Sequence, residues 1–180
     1  MNQLPLFRRL TESFLTLFVA VFALACVSTK ALENDETRIK PGLEIKTLEG
    51  KISSFKDQLK NDKWNIVFVW TTYCNHCANQ YPFLSELHID HSDTLAVIGI
   101  CLDDESSLET IKATQTDQNH RFPSVIAKSS TFSKAYEINT GEPFTGTPTY
   151  VLYNGHDFKA FLDGPTKKNT ILRFIAKSKT

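Results

Sequence analysis

The stretch Trp64–Trp70, WNIVFVW, followed after three residues by Cys74-Asn75-His76-Cys77, decides the fold. Six of the seven residues in the first segment are apolar, and the run is rich in β-branched and aromatic side chains, which predicts a buried strand. After the motif, Phe83, Leu84 and Leu87 recur at helical spacing, so we expect a helix over 75–89. The two cysteines therefore lie between the end of a strand and the start of a helix.

A C-x-x-C motif in this position is typical of a redox-active pair. Residues three apart on the first helical turn share a face, so the sulfurs of Cys74 and Cys77 can reach disulfide distance. The positive end of the helix favours a Cys74 thiolate, which predicts Cys74 as the nucleophile and Cys77 as the resolving cysteine. We expect Asn75 and His76 between them to tune the reduction potential, because a protonated His76 would stabilise the thiolate.

Length and charge restrict the class of protein. The chain has 180 residues, enough for one domain and a leader. Its 20 basic and 20 acidic side chains balance, which argues against broad binding to nucleic acid.

The N-terminus reads as an export signal. Arg8 and Arg9 precede an apolar run over 14–25 that ends in the small-residue site Ala23-Leu24-Ala25. Three fates remain open: cleavage after Ala25, retention as a membrane anchor, or lipidation of Cys26. All three place the domain in the periplasm or on the extracytoplasmic face of a bacterial inner membrane. We therefore divide the chain into a signal peptide or anchor (1–25), a linker (26–41) and a folded domain (42–180).

The rest of the chain alternates strand and helix patterns, which predicts a mixed α/β sheet. A second continuous apolar run, 95–102, has the character of a strand buried on both faces. The remaining predicted elements are a hairpin over 43–55, a helix at 107–116, a strand at 122–126, a short helix at 130–136, a hairpin over 145–162 and a final helix at 169–177.

This order resembles the thioredoxin fold, and more narrowly the TlpA-like branch that includes the cytochrome c maturation thiol reductases. The resemblance covers about residues 42–177. It rests on the segment from Val69 to Cys77, on Phe122-Pro123, on Gly146-Thr147-Pro148-Thr149 and on the turn signals Asn154-Gly155 and Gly164-Pro165. It implies a three-layer sandwich with an N-terminal β-hairpin and an inserted β-α unit before a cis-proline.

The resemblance also implies further site residues. Pro148 is expected to be the cis-proline, and the backbone of Thr147 would pair with an extended substrate segment. Trp70 and Tyr73 are expected to form an apolar rim around Cys74, although plain core packing is the alternative for Trp70. Two carboxylates of the fold are missing: a buried Asp is replaced by Phe68, and the Glu of the cytochrome-maturation reductases is replaced by Gln80.

These features predict an exported thiol–disulfide oxidoreductase, most simply a reductase, with protein thiol or disulfide substrates and no cofactor or metal. A membrane electron donor or acceptor would recycle it. Three alternatives stay open: a DsbA-type oxidant or isomerase, a copper-binding module using Cys74, His76 and Cys77, and a peroxidase. Cys101 is expected to be an inert core thiol, and His88, His91, His120 and His156 to lie at the surface.

Overall fold

The computed structural model describes residues 43–104 and 107–178. The predicted leader, the linker and Cys26 lie outside these residues. None of the helices described is long and apolar enough to cross a membrane.

Seven strands and five helices make up the described fold. The strands are β1 (Glu44–Thr47), β2 (Ile52–Ser54), β3 (Trp64–Trp70), β4 (Leu95–Cys101), β5 (Ser124–Ile126), β6 (Thr149–Asn154) and β7 (Asp157–Asp163). The helices are α1 (Asn75–Ala78), α2 (Tyr81–Asp90), α3 (Leu108–Asp117), α4 (Ser129–Thr140) and α5 (Lys168–Lys177), and a 3-10 turn covers Phe55–Gln58.

All seven strands form one mixed sheet in the order β2-β1-β5-β4-β3-β6-β7. β3 lies near its centre, parallel to β4 and antiparallel to β6. Every residue of β3 and β4 is buried, which explains why both strands appear in the sequence as continuous apolar runs. The N-terminal hairpin β1–β2 joins the sheet through an antiparallel pairing of β1 with β5. The predicted mixed α/β fold is therefore confirmed.

Helices cover both faces of the sheet and make three layers. On one face, Leu84 and Leu87 of α2, Ile111 of α3 and Ile171 of α5 share a core with Cys77. On the other face, α4 packs through Phe132 and Tyr136. The side chains of β3 alternate between these two cores, so the strand that leads to the cysteines is held from both sides.

The single helix expected over 75–89 is in fact two helices. α1 ends at Ala78 and α2 begins at Tyr81, with Pro82 in its first turn. Proline has no N–H to bond the carbonyl four residues earlier, and its ring collides with that carbonyl. In a continuous helix the carbonyl would belong to Ala78, the residue where α1 ends.

Other boundaries also moved. The helix expected at 130–136 runs to Thr140, and the strand expected from residue 145 begins only at Thr149. The segment before Thr149 is instead a loop that contains the cis peptide bond described below.

Candidate redox site

Cys74 and Cys77 form a disulfide at the start of α1, with an S–S distance of 2.10 Å and Cα atoms 5.2 Å apart. Cys74 is the N-cap of the helix, and its sulfur accepts a hydrogen bond from the Cys77 backbone N–H at 3.2 Å. Cys74 is half-buried, whereas Cys77 is completely buried. A partner can therefore reach the outer sulfur, while the inner sulfur faces the core.

The residues beside Cys74 differ in their exposure. Tyr73 is 79% exposed, and Asn75 and His76 are also exposed. Trp70, by contrast, is fully buried. The expectation that Trp70 forms part of a substrate rim is wrong: its indole packs edge-on against Tyr81, with ring centroids 5.7 Å apart, and belongs to the core.

The expectation that His120 lies at the surface is also wrong. It is 6% exposed, its ring lies against Phe122 with centroids 3.8 Å apart, and its Nε2 is 2.9 Å from the Ser124 hydroxyl oxygen. Burial lowers the pKa of His120 to about 3, so the ring is neutral at neutral pH. His120 also contacts Trp70 and Tyr81, which share a core with Cys77.

The peptide bond between Thr147 and Pro148 is cis, as expected. The loop is braced on both sides of this bond: the Gly164 N–H donates to the Pro148 carbonyl at 2.8 Å, and the Thr149 hydroxyl donates to the Gly146 carbonyl at 2.6 Å. Pro148 is buried and Thr147 is half-buried.

Gln80 occupies the place of the missing carboxylate and has a defined role in the core. It is 6% exposed, and its Oε1 accepts hydrogen bonds from the Tyr150 hydroxyl at 2.6 Å and from the Thr166 N–H at 3.1 Å. Since a backbone N–H can only donate, the Gln80 oxygen must face these partners. Gln80 thus ties the segment between α1 and α2 to β6, two residues beyond Pro148.

Asp103 is a site residue that sequence reasoning missed. Its Oδ2 accepts hydrogen bonds from the Thr72 N–H at 2.9 Å and from the Thr72 hydroxyl at 2.5 Å. Thr72 stands two residues before Cys74, so this carboxylate holds the loop that leads to the disulfide. The signal was available: Asp103 follows a buried strand parallel to β3, and the carboxyl ends of parallel strands meet at one edge of a sheet.

Cys101 is a free thiol with no exposed surface, and burial raises its pKa to about 12. Its expected place in the core is confirmed. Within the described residues, no group of three His, Cys, Asp or Glu side chains is arranged to hold a metal ion.

The sequence profile of the AhpC/TSA family matches residues 37–157. The thioredoxin-like protein YneN of Bacillus subtilis is 30% identical over 102 residues, which are 56% of this chain and 59% of YneN. The matched region thus spans less than two thirds of that relative.

Solved structures share the fold at lower identity. A secreted Mycobacterium tuberculosis disulfide oxidoreductase, described as homologous to Escherichia coli DsbE, superposes with a TM-score of 0.60 at 16% identity, covering 78% of this chain and 97% of that one. StoA of Bacillus subtilis gives a TM-score of 0.56 at 20% identity, covering 76% and 98%. With most of the described domain inside the matching profile and a thioredoxin-like fold around a Cys-x-x-Cys pair, the chain belongs to the AhpC/TSA family.

Proposed function

We propose that this protein is an exported thiol–disulfide oxidoreductase that reduces disulfides in other proteins. The observation that carries the proposal is the asymmetry of the Cys74–Cys77 disulfide, with an accessible outer sulfur and a buried inner sulfur at a helix N-terminus. The outer cysteine can then react with a protein substrate, while the inner one reacts only within the chain. The likeness to the thioredoxin-like protein YneN and the fold shared with a secreted disulfide oxidoreductase support this proposal.

The reaction begins from the reduced pair. The Cys74 thiolate attacks one sulfur of the substrate disulfide, so that a Cys74–substrate bond forms, the substrate S–S bond breaks and the first substrate thiolate takes up a proton. Cys77 then loses its proton and attacks the Cys74 sulfur. This step re-forms the Cys74–Cys77 disulfide and releases the second substrate thiolate, which is protonated in turn. Two electrons pass from the pair to the substrate.

In the thioredoxin fold the cis-proline loop faces the cysteines, so an extended polypeptide is the substrate that we assign to this surface. The Thr147 N–H has no hydrogen-bond partner among the residues that the structure describes, so it is available to pair with a substrate backbone. The exposed Tyr73 ring, next to Cys74, supplies an apolar contact. We assign Thr147, Pro148 and Tyr73 to substrate binding on these grounds, and Asn75 and His76 to tuning of the potential.

The remaining parts of the proposal rest on the sequence. The leader over 1–25 and the linker over 26–41 would carry the domain across the membrane or tether it there, with Cys26 as a lipidation candidate. In an oxidising compartment a reductase needs a source of electrons, so a membrane electron donor is the proposed recycling partner. The proposed substrates are disulfides in exported proteins whose thiols must be kept reduced, such as apocytochrome c.

An oxidant of DsbA type is the second candidate, and His76 favours it. A protonated imidazole beside Cys74 would stabilise the thiolate and so make the pair more oxidising. The reduction potential of the Cys74–Cys77 pair separates the two: a value below about −230 mV supports the reductase, and one above about −180 mV supports an oxidant or isomerase.

The activity test is reduction of insulin disulfides by the dithiothreitol-recycled protein. Cys74→Ser should abolish it, and Cys77→Ser should accumulate a mixed disulfide through Cys74. Cys101→Ser is the matched control and should leave turnover unchanged. Full insulin reduction by Cys74→Ser would refute the mechanism. One-to-one copper binding by the reduced protein, without insulin reduction, would favour a metal-binding module instead.

A further inference from the structure

We propose that Asp103 is a positioning residue of the redox site: its buried carboxylate fixes the loop before Cys74 through Thr72 and places a negative charge that disfavours the cysteine thiolates. The inference deepens the proposed function, on which it rests, because a pair with less stable thiolates is the more reducing one. It also explains how the site operates without the two carboxylates absent at Phe68 and Gln80.

The topology brings Asp103 to the site. β3 and β4 run parallel, with Trp70 opposite Cys101, so both strands end at the same edge of the sheet. The Leu102 N–H still donates to the Trp70 carbonyl at 3.0 Å, which keeps the two chains together beyond the strands. Thr72 and Asp103 come two residues past these paired ends and meet through two hydrogen bonds to one carboxylate oxygen.

Most of the carboxylate is buried. Asp103 is 8% exposed, and its Oδ1 is buried with no hydrogen-bond partner in the part of the chain that the structure describes. In the same residues, no Lys, Arg or His forms an ion pair with it. A buried charge that lacks a counter-ion is screened weakly, so its field extends further than that of a surface carboxylate.

Two groups in the described core already respond to this charge. Burial raises the pKa of Tyr81, and electrostatic interactions with Cys101 and then with Asp103 raise it further. Burial also raises the pKa of Cys101; a hydrogen bond with the Asp103 backbone lowers it, and the charge and side chain of Asp103 raise it by smaller amounts. Tyr81 packs against Trp70 in the core that also contains Cys77, so the charge of Asp103 acts on that core.

The other charged groups around Asp103 nearly cancel one another. A cavity of about 500 Å³ adjoins Asp103, and its charged lining consists of Lys46 and Lys128 with Glu44 and Asp104. Cys101 and Tyr81 are neutral. His76 follows Cys74 by two residues, whereas Thr72, which Asp103 binds, precedes it by two. The net local effect on the thiols is therefore set by Asp103 together with the opposing helix terminus and His76.

Substitution of Asp103 by Asn is the direct test, because the side chain keeps its shape and an oxygen for Thr72. The assay measures the rate at which iodoacetamide alkylates Cys74 in the reduced full chain between pH 4 and pH 10. The modified peptide is followed by mass spectrometry. We expect the Cys74 pKa to fall, with alkylation at pH 6 at least about threefold faster, and the potential to become more oxidising.

Two variants separate charge from structure. Asp104→Asn makes the same change in charge one residue away at an exposed position and should leave the Cys74 pKa unchanged. Thr72→Val removes the hydroxyl bond but keeps the carboxylate and the backbone bond, so it should also leave that pKa unchanged. A Cys74 pKa in Asp103→Asn equal to that of the native protein would overturn the proposal.

A measurement on the native protein covers the case in which Asp103→Asn fails to fold. Coupling is reciprocal, so the carboxyl carbon of Asp103, observed by NMR after carbon-13 labelling of aspartate, should shift as Cys74 ionises in the reduced protein. The disulfide form should lack this inflection. Its absence from the reduced form would refute the coupling, whereas failure of insulin reduction with the inflection present would refute only the proposed function.

Discussion

Acidification should destabilise this protein through His120 in particular. The buried ring has a pKa of about 3 in the folded chain, against about 6.5 for a histidine in an unfolded chain. Below pH 6.5 the ring binds a proton in the unfolded chain but stays neutral in the folded chain. The contribution of the neutral ring to the free energy of unfolding is therefore complete above pH 6.5 and is lost as the pH falls toward 3. The slope approaches about 1.4 kcal/mol per pH unit.

Between pH 7 and pH 5 this single group should remove about 2 kcal/mol from the free energy of unfolding. That difference is nearly independent of the exact folded pKa, since pH 5 lies above it. The loss is a large share of the 5–15 kcal/mol expected for a domain. It should therefore be visible as a shift in the urea midpoint.

The assay compares urea unfolding of the oxidised protein at pH 7 and pH 5 with that of His120→Gln. Gln can still bond Ser124 but does not titrate, so the variant should lose less stability than the native protein on acidification, by about 2 kcal/mol. His91→Gln, at the half-buried end of α2, controls for the loss of a histidine as such. Equal losses in the native protein and in His120→Gln would refute the assignment of the pH response to this ring.

Four further predictions concern single residues. Gly99→Ala would place a methyl group 2.0 Å from the Ser124 Oγ and 2.9 Å from the Trp70 Nε1. The free energy of unfolding, measured by chemical denaturation, should therefore fall by about 3 kcal/mol or more. The control Gly141→Ala, which meets open space at a φ of +77°, should cost about 1 kcal/mol. A smaller loss at Gly99 would contradict this packing. The Asn65 amide nitrogen donates hydrogen bonds to the carbonyls of Lys60, Lys63 and Gly155. Asn65→Asp would turn a carboxylate toward these oxygens, and the free energy of unfolding should fall by at least about 3 kcal/mol in the same assay. Asn154→Asp, at an exposed position, is the control and should be nearly neutral. His76→Pro should make the pair more reducing in a glutathione titration, and an unchanged potential would remove His76 from the tuning. Cys101 should resist alkylation in the folded protein and react only in urea, since its thiol is buried and its pKa is raised to about 12; labelling of the native form, detected by peptide mass spectrometry, would contradict this.

The elements that sequence patterns predicted well are those whose burial is uniform. β3 was predicted from residue 64 to residue 70 and forms over that range, because a strand covered on both faces needs an unbroken apolar run. The cysteine pair followed from a short local motif, and the cis bond before Pro148 followed from the family resemblance. Where one local signal competed with another, as at Pro82 within an apolar helical pattern, the helix break was overlooked although its cause was in the sequence.

The contacts that sequence patterns did not reveal are those between polar residues far apart in the chain. Thr72 and Asp103 are separated by 31 positions, and their contact follows from the parallel pairing of β3 with β4 rather than from the sequence next to either residue. His120 stands between Asn119 and Arg121 and so resembles a surface residue. Its burial depends on Trp70 and Tyr81, which only the packed structure brings against it.

Gln80 and Asp103 together divide two tasks that one carboxylate could perform. A Glu at position 80 could accept the hydrogen bonds from Tyr150 and Thr166 and also carry a charge one helical turn beyond Cys77. The amide keeps the hydrogen bonds, at 2.6 Å and 3.1 Å, and adds no charge. The charge instead comes from Asp103, which is anchored to the loop before the outer cysteine by way of Thr72. A buried charge costs free energy unless hydrogen bonds compensate it. With neutral Gln80 after the disulfide and hydrogen-bonded Asp103 as the one buried carboxylate among the described residues, that cost stays low while the Asp103 charge still destabilises the thiolates. If the proposed roles hold, this division would favour a reducing pair against the opposite effect proposed for His76.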